Sequence, residues 1–378
     1  MSKQKIHALD YIRGIAMLGV VGIHTGSYSL SNPTVNVHLF ALLEIVTRFS
    51  VPIFFFVSAF GLFINQDLTR KLNYLQFMTR RSRTVLIPYL VWSLFYMIHY
   101  TFISKDTSIW HPPLLYEYFL FGLASCQLYF LVILLWFYAL MPLWRSMVRL
   151  IILHPIRNLG ILLLLQILFN YYSSYVLKAT VSNYYLHELL SYRLNYWVFH
   201  YLFIFLFGAV CAVKLASFQQ SIKDYQRHIK VFFYFTILGM LTYYYYLLTT
   251  LHYSPEQAVN TAHQLSPIGV LYTLGSTLFL FIIFQQSKMP QFAKNTLGSL
   301  GEHSYLVYLI HPLVMYYLSM YLAKYNIVMS ALIVIGFYLV TSILSLVFAM
   351  CIKKISTFLP IINLLLTGSN QPKPKSGV

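Results

Sequence analysis

The sequence predicts an all-α, polytopic membrane protein: a helical bundle of about ten transmembrane helices with both termini in the cytoplasm. Three observations support this prediction. Of the 378 residues, 59% are hydrophobic and only 9% are charged, whereas a soluble domain has about 25% charged residues. Apolar runs of membrane-spanning length recur along the whole chain. The basic residues are concentrated in alternate segments between those runs.

Ten apolar runs are close to the length of about 20 residues that a helix needs to cross a bilayer. An even number of spans leaves both termini on one side. With the N-terminus inside, 20 of the 26 Lys and Arg residues lie in inner segments and four in outer segments, which predicts cytoplasmic termini. This bias also explains the net charge of +17 without a nucleic-acid partner. The runs are 8–28, 40–64, 85–104, 128–146, 158–177, 196–215, 231–251, 265–286, 304–322 and 328–352.

The domain organisation expected from these runs is one membrane domain over residues 1–355, followed by a short cytoplasmic tail over 356–378. Lys3 and Lys5 precede the first run, but no small-residue cleavage site follows it, so we expect no cleavable signal. Within the tail, the apolar run 358–366 is too short to span, and the polar stretch 369–378 is predicted to be disordered.

The first predicted helix carries two side chains that apolar helices rarely contain, Arg13 and His24. They are eleven positions apart, which is three helical turns and roughly 20°, so they face the same way about 16 Å apart along the axis. Imidazole can take a proton from a hydroxyl or itself accept an acyl group. The line from Arg13 to His24 is therefore predicted to be the reaction axis. The alternative for Arg13 is a structural pair with Asp10, three positions earlier.

A second polar site is predicted at the cytoplasmic start of the third span, where Arg80 and Arg83 share a helix face at spacing i, i+3. Two guanidinium groups can grip the phosphates of a cytosolic nucleotide-bearing cofactor in a bidentate manner. The alternative is that these arginines follow the positive-inside bias and bind anionic membrane lipids. The sequence leaves both open.

The other polar residues within apolar runs receive structural or supporting interpretations. Glu44 and Arg48, at i, i+4, are predicted to pair. His311 lies near the middle of the ninth run and is followed by Pro312, which favours a pore-lining or supporting role. The three cysteines show no paired spacing and are predicted to be core residues without disulfides or metal: Cys126, Cys211 and Cys351.

These residues occur in patterns that resemble the membrane acyltransferase family 3, whose first helix carries an Arg and a His at this spacing. The resemblance covers the whole chain and rests on four patterns in the family's order. Ala59 stands where the family usually has Gly, and Tyr129 where it usually has Trp. The patterns are Asp10-Tyr-Ile-Arg13 with His24, Phe54-Phe-Phe-Val-Ser58, the stretch from Arg80 and Arg83 to Tyr89 and Trp92, and Ser304-Tyr305 through His311-Pro312.

The resemblance implies a multi-pass O-acyltransferase of the cell membrane that uses cytosolic acyl-CoA, with acetyl-CoA as the default, and a surface-glycan hydroxyl on the outer face. Acyl-CoA would be a co-substrate, with no permanently bound cofactor and no metal. The CoA phosphates would lie among Arg13, Arg80 and Arg83, and His24 and Arg13 would be catalytic. His24 would act as a general base or carry the acyl group, and the sequence does not choose. A substrate channel would include Asp10, Ser58, Tyr89, Trp92, Tyr305 and His311.

Two other functions remain open from the sequence. Buried charges in a ten-helix bundle also suit a polysaccharide exporter, although no inverted repeat is visible. A non-catalytic partner of the polysaccharide-synthesis machinery is the third class. An exporter should need no acyl donor, and an assembly partner should tolerate loss of both Arg13 and His24.

Overall fold

The computed structural model describes residues 6–286, 289–356 and 358–368, so Lys3, Lys5 and the predicted disordered stretch 369–378 lie outside the described residues. Those described residues form helices and no strand, which confirms the all-α class. The α-helices are α1 His7–Ser29, α2 Val37–Glu44, α3 Ser50–Phe63, α4 Tyr74–Arg81, α5 Ile87–Ser104, α6 Leu114–Phe121, α7 Tyr129–Ala139, α8 Met141–Ile151, α9 Pro155–Tyr171, α10 Tyr184–Ser191, α11 Arg193–Tyr196, α12 Leu202–Val213, α13 Leu215–Asp224, α14 Gln226–Thr249, α15 Pro255–Thr261, α16 Pro267–Gln286, α17 Gln291–Lys324, α18 Ala331–Ser356 and α19 Pro360–Thr367.

Six helical stretches among the described residues are long and apolar enough to cross a membrane, or eight if each of two bent helix pairs is one span. The multi-pass architecture is therefore confirmed, whereas ten spans and cytoplasmic termini remain predictions. α1 is long enough but is not among the six, and its ionisable side chains lower its mean hydropathy. The six are Tyr74–Ser104, Pro155–Val176, Gln226–Thr249, Pro267–Gln285, Gln291–Lys324 and Ala331–Ser356.

Two of the predicted spans are not continuous helices, and a third ends at a sharp bend. The run 40–64 was expected to be one helix, but α2 ends at Glu44 and α3 begins at Ser50. Pro52 explains this break, because proline cannot donate its backbone hydrogen bond and clashes with the carbonyl four residues earlier. The run 128–146 bends by 71° between α7 and α8, where Pro142 lies in the first turn of α8. The run 196–215 is helical over Val198–Val213, and the 102° bend to α13 lies at its end.

α1 and α17 form the close central contact that positions the site. The two helices run in the same direction, since Gly14 packs on Leu297 and, farther along both helices, the rings of His24 and His311 meet. A Cβ at Gly14 would lie 2.5 Å from the carbonyl oxygen of Leu297, and one at Gly301 would lie 2.0 Å from that of Asp10. Glycine at both positions therefore lets the two backbones touch, as small residues do between membrane helices.

Replacing Gly301 with Ala should weaken this contact and lower stability. The added methyl group would meet backbone rather than a movable side chain, and such overpacking typically costs about 1–3 kcal/mol. Gly336→Ala in α18 is the matched control, because a Cβ there has nothing within 4 Å. Thermal unfolding in detergent should show a lower midpoint for Gly301→Ala only. Equal midpoints for the two variants would contradict the close contact.

α19 packs on the bundle, within the region predicted to be a tail. The indole Nε1 of Trp92 in α5 donates a hydrogen bond to the carbonyl of Leu366 at 3.2 Å. Gly368, with φ of +66°, ends α19 in the left-handed region, and a Cβ there would lie 2.4 Å from the carbonyl oxygen of Thr84. Thr367 reaches the cavity described below. This segment is therefore part of the folded domain.

Candidate active site

A cavity of about 480 Å³ opens beside the first half of α1, between α3, α7, α17 and the helical turn 82–86 that precedes α5. Its polar lining includes three residues that the sequence singled out, Arg13, Ser58 and Tyr305. Tyr138 completes one wall, with its hydroxyl 3.4 Å from Oγ of Ser58. The hydroxyl of Tyr305 is buried and has no hydrogen-bond partner among the described residues. The cavity thus offers polar groups that a ligand could engage.

Arginines from two elements face this cavity. Arg13 in α1 donates to the carboxylate of Asp10 at 3.0 Å, so the structural pair exists and Arg13 nevertheless lines the cavity. Arg81, at the end of α4, is the second. Its guanidinium lies over the rings of Phe77 and Tyr138, with Cζ 5.4 and 5.2 Å from the ring centroids. These cation–π contacts hold the charge at the cavity wall.

A second cavity, of about 430 Å³, adjoins the first and shares Gly61, Leu62 and Arg81 with it. Arg80 lines this second cavity. Arg83 is exposed and lines neither of the two. The expected common face of Arg80 and Arg83 assumed a regular α-helix. The turn from Ser82 to Leu86 is instead a π-helix, which changes the angular spacing of the side chains.

A buried arginine fixes the main chain of the loop beside the second cavity through hydrogen bonds. Arg145 of α8 donates hydrogen bonds to the carbonyl oxygens of Asp67 and Arg70 at 3.0 and 2.7 Å and to the Gln66 side chain at 3.3 Å. Hydrogen bonds from Thr69 hold the pKa of the Asp67 carboxyl below its usual range. The loop therefore has a fixed main chain and a carboxylate that stays charged at neutral pH.

Tyr308 separates the first cavity from His24. Its ring lines the cavity, packs against Phe130 with centroids 5.5 Å apart, and lies 6.0 Å from the ring of His311 on the other side. Its hydroxyl donates to the carbonyl of Gln127. One aromatic layer thus lies between the arginine-lined cavity and the histidines.

His24 lies in a cluster of reactive side chains. Its ring is 5.2 Å from the ring of the fully buried His311, and its Nδ1 is 3.6 Å from Sγ of Cys126. Nδ1 of His311 lies 3.1 Å from the Val307 carbonyl oxygen, which fixes the proton on Nδ1 in the neutral ring. Its Nε2 then carries a lone pair and has no partner among the described residues. The cluster therefore holds a second imidazole and a thiol, each in contact with His24.

A buried ion pair borders this cluster. Glu44 and Arg48 pair at 2.9 Å, which confirms the expected i, i+4 interaction. Ser27 of α1 donates to Oε1 of Glu44 at 3.2 Å, and a Cβ at Gly26 would lie only 2.6 Å from Cγ of Glu44. Gly26 therefore leaves room for the carboxylate next to the turn of α1 that carries His24. α1 carries no acidic residue near His24, and Glu44 of α2 supplies one at this end of the helix.

Tyr89 and Trp92, both assigned to the channel from the sequence, lie away from the two cavities. The hydroxyl of Tyr89 donates to the carbonyl of Phe119 at 2.5 Å. Trp92 bonds to the α19 main chain and lines a separate apolar groove of about 780 Å³ between α5, α17 and α18. Both are buried, and in this structure they join helices rather than line the cavity.

The sequence did not single out several residues that the structure brings to the site. Arg81, Tyr138 and Tyr308 line the first cavity, but only the folded arrangement shows which aromatic and basic side chains face inward. The expectation that all three cysteines are core residues is wrong, because Cys126 and Cys351 are exposed and Cys211 alone is buried. Cys126 lies in the connection between α6 and α7, whose fold no periodic pattern predicts.

The helical bundle and this site define a multi-pass membrane enzyme, and comparison with known families gives its class. A protein-family model described as an acyltransferase domain matches residues 6–352, nearly the whole chain. The chain belongs to this family, the membrane acyltransferase family 3, and is an acyltransferase that transfers groups other than aminoacyl groups. No curated protein and no solved structure matches it.

Proposed function

We propose that this acyltransferase moves an acyl group, acetyl by default, from cytosolic acyl-CoA to a hydroxyl of a surface glycan. The observation that carries the proposal is the arrangement along α1. An arginine-lined cavity occupies one end and His24 lies at the other, and Tyr308 of the cavity wall is next to His311, whose ring contacts that of His24. This arrangement supports a route along α1 on which an anionic donor would bind at one end and a proton-accepting group would act at the other.

Arg13, Arg80 and Arg81 would bind the phosphate groups of the donor. Guanidinium groups form strong, bidentate hydrogen bonds with phosphate. Arg81 borders both cavities, so a ligand that extends from one into the other would pass it. Each cavity is within the usual range for small-molecule sites, about 300–1,000 Å³. Arg83 was also expected to bind the donor, and its exposed position makes it the natural comparison.

His24 would act at the acyl-transfer step. As a general base it would take the proton of the acceptor hydroxyl while the hydroxyl oxygen attacks the thioester carbonyl. The bond between the carbonyl carbon and the CoA sulfur then breaks, and the released thiolate takes up the proton. His24 touches His311, and Ser27, three residues further along α1, binds Glu44, so the cationic form of His24 would have polar neighbours. Arg13, with Asp10, would hold the donor at the other end of α1.

The proposed topology is ten spans in the cell membrane with both termini in the cytoplasm. Its support is the charge bias of the connecting segments. α1 and α17 run in the same direction, as the first and ninth spans of such a topology would. The surface glycan is the proposed acceptor, and the synthesis machinery that makes the glycan is the proposed functional partner.

Mass spectrometry of surface glycans tests this function directly. A strain that lacks the protein should export glycan that has lost an acyl mass, and reintroduction of the wild-type chain should restore that mass. Glycan retained inside the deletion strain would instead indicate an exporter. The deletion strain can also be complemented with a chain that carries both Arg13→Ala and His24→Ala. If this chain restores the acyl mass of the glycan, the protein is a non-catalytic partner.

A further inference from the structure

We infer that Cys126 carries the acyl group as a thioester between donor and acceptor, with His24 as its base. This inference rests on the proposed use of acyl-CoA and replaces the direct attack of the acceptor on acyl-CoA with two successive transfers through the Cys126 thiol. Its basis is a thiol–imidazole pair, with Sγ of Cys126 and Nδ1 of His24 at 3.6 Å, close to the aromatic layer that closes the donor cavity.

The pair has the geometry of an activated nucleophile. A thiol is a strong nucleophile once an adjacent base takes its proton, and nucleophile–base pairs at this separation are common before substrate binds. A third group usually supports the base. Here His311 contacts the ring of His24, and its Nε2, in a fully buried side chain, has no partner among the described residues. Packing does not account for this unpaired Nε2, which is a second feature of the site beside the thiol–imidazole pair.

The chain around Cys126 fixes the thiol at the surface. Gln127 and Leu128, the next two residues, are almost fully buried, whereas Cys126 is exposed. Ser125 donates to the side chain of Gln127 at 2.6 Å, and the Gln127 carbonyl accepts from Tyr308. The same Tyr308 lines the donor cavity. Cys126 is therefore exposed and directly precedes the residue that holds Tyr308 of the cavity wall, a position that suits an acyl carrier.

The two half-reactions balance without another reactant. First, the thiol proton of Cys126 passes to Nδ1 of His24, and the thiolate attacks the carbonyl of acyl-CoA. The bond to the CoA sulfur breaks, and CoA leaves with the proton from His24. Second, the acceptor hydroxyl gives its proton to His24, and its oxygen attacks the acyl carbon. Cys126 leaves as a thiolate and regains the proton from His24.

Purified full-length protein with acetyl-CoA and no glycan provides the test. We expect a burst of one CoA thiol per protein molecule and an acetyl mass on the peptide that contains Cys126, removable by neutral hydroxylamine. Cys351→Ser is the matched control, because it removes the other exposed thiol and should leave both signals unchanged. His24→Ala should suppress the burst. The burst and the acetyl mass are both measured on proteins that retain Cys126. They therefore test the inference even if variants of Cys126 fold poorly.

Cys126→Ala should abolish the adduct and slow glycan acylation by roughly a hundredfold, since a covalent step with its base is removed. Glycan acylation at the wild-type rate in this variant would overturn the relay, as would an acetyl group found on His24 with Cys126 unmodified. If Cys126 is still acetylated in His24→Ala, its acetylation does not depend on the His24 base. That result would also overturn the relay. Wild-type protein that transfers no acyl group from acyl-CoA to glycan would instead contradict the proposed function.

Discussion

His24→Ala should reduce acyl transfer by about 10²–10⁴-fold, the usual contribution of a general acid–base group. The effect should fall on kcat, because the donor phosphates are expected to bind at the arginines on the other side of Tyr308. Steady-state rates of CoA release with purified protein and glycan acceptor measure it. The structural reason is the position of His24, whose ring contacts that of His311 and whose Nδ1 lies 3.6 Å from Sγ of Cys126.

His99→Ala is the matched control for this loss. His99 lies on α5, where its Nε2 is 3.0 Å from the hydroxyl of Tyr317, and it lines neither arginine cavity. We expect its variant to retain wild-type kcat. Comparable membrane levels of both variants would show that folding is intact. Full activity of His24→Ala at a normal level would remove His24 from the chemistry.

Arg81→Ala should raise KM for acyl-CoA by about 10- to 150-fold, because a hydrogen bond to a charged group is worth about 1.5–3 kcal/mol. Arg81 borders both cavities and its guanidinium is held over two rings, so its charge is in place before the donor binds. Arg13→Ala should also weaken donor binding. Initial rates over a range of acyl-CoA concentrations measure both effects.

Arg83→Ala is the sharpest comparison for the donor site. The sequence predicted that Arg83 shares a helix face with Arg80 and binds the donor, because regular α-helical spacing was assumed. In the structure, the π-helical turn leaves Arg83 exposed. We expect its KM to stay within about fivefold of wild type, since surface ion contacts are worth only about 0–1 kcal/mol. A larger effect for Arg83→Ala than for Arg81→Ala would show that the donor binds on the other face.

Local patterns were sufficient to predict several features of this molecule. The all-α class, the helix from 8 to 28 and the Glu44–Arg48 pair all follow from composition or from spacing within one helix. So does the pairing of Arg13 with Asp10. These features depend on residues three or four positions apart, or on summed hydropathy, and the surroundings do not override them.

Features that depend on tertiary contacts could not be predicted in this way. No local sequence pattern predicts the π-helical turn from Ser82 to Leu86. Because of this turn, Arg81 lines the first cavity and Arg83 is exposed. Cys126 reaches His24 from 102 positions along the chain, through a loop that Gln127 anchors. The break before α3 did have a local signal, Pro52, although the continuous apolar run favoured a single helix.

One kinetic measurement tests most directly the claim that α1 joins a donor-binding end to a reacting end. CoA release is followed against acyl-CoA concentration for wild type, Arg81→Ala and His24→Ala, with saturating glycan acceptor. We expect Arg81→Ala to raise KM with kcat largely kept, and His24→Ala to lower kcat with KM largely kept. The opposite assignment, or wild-type values for both variants, would contradict the claim.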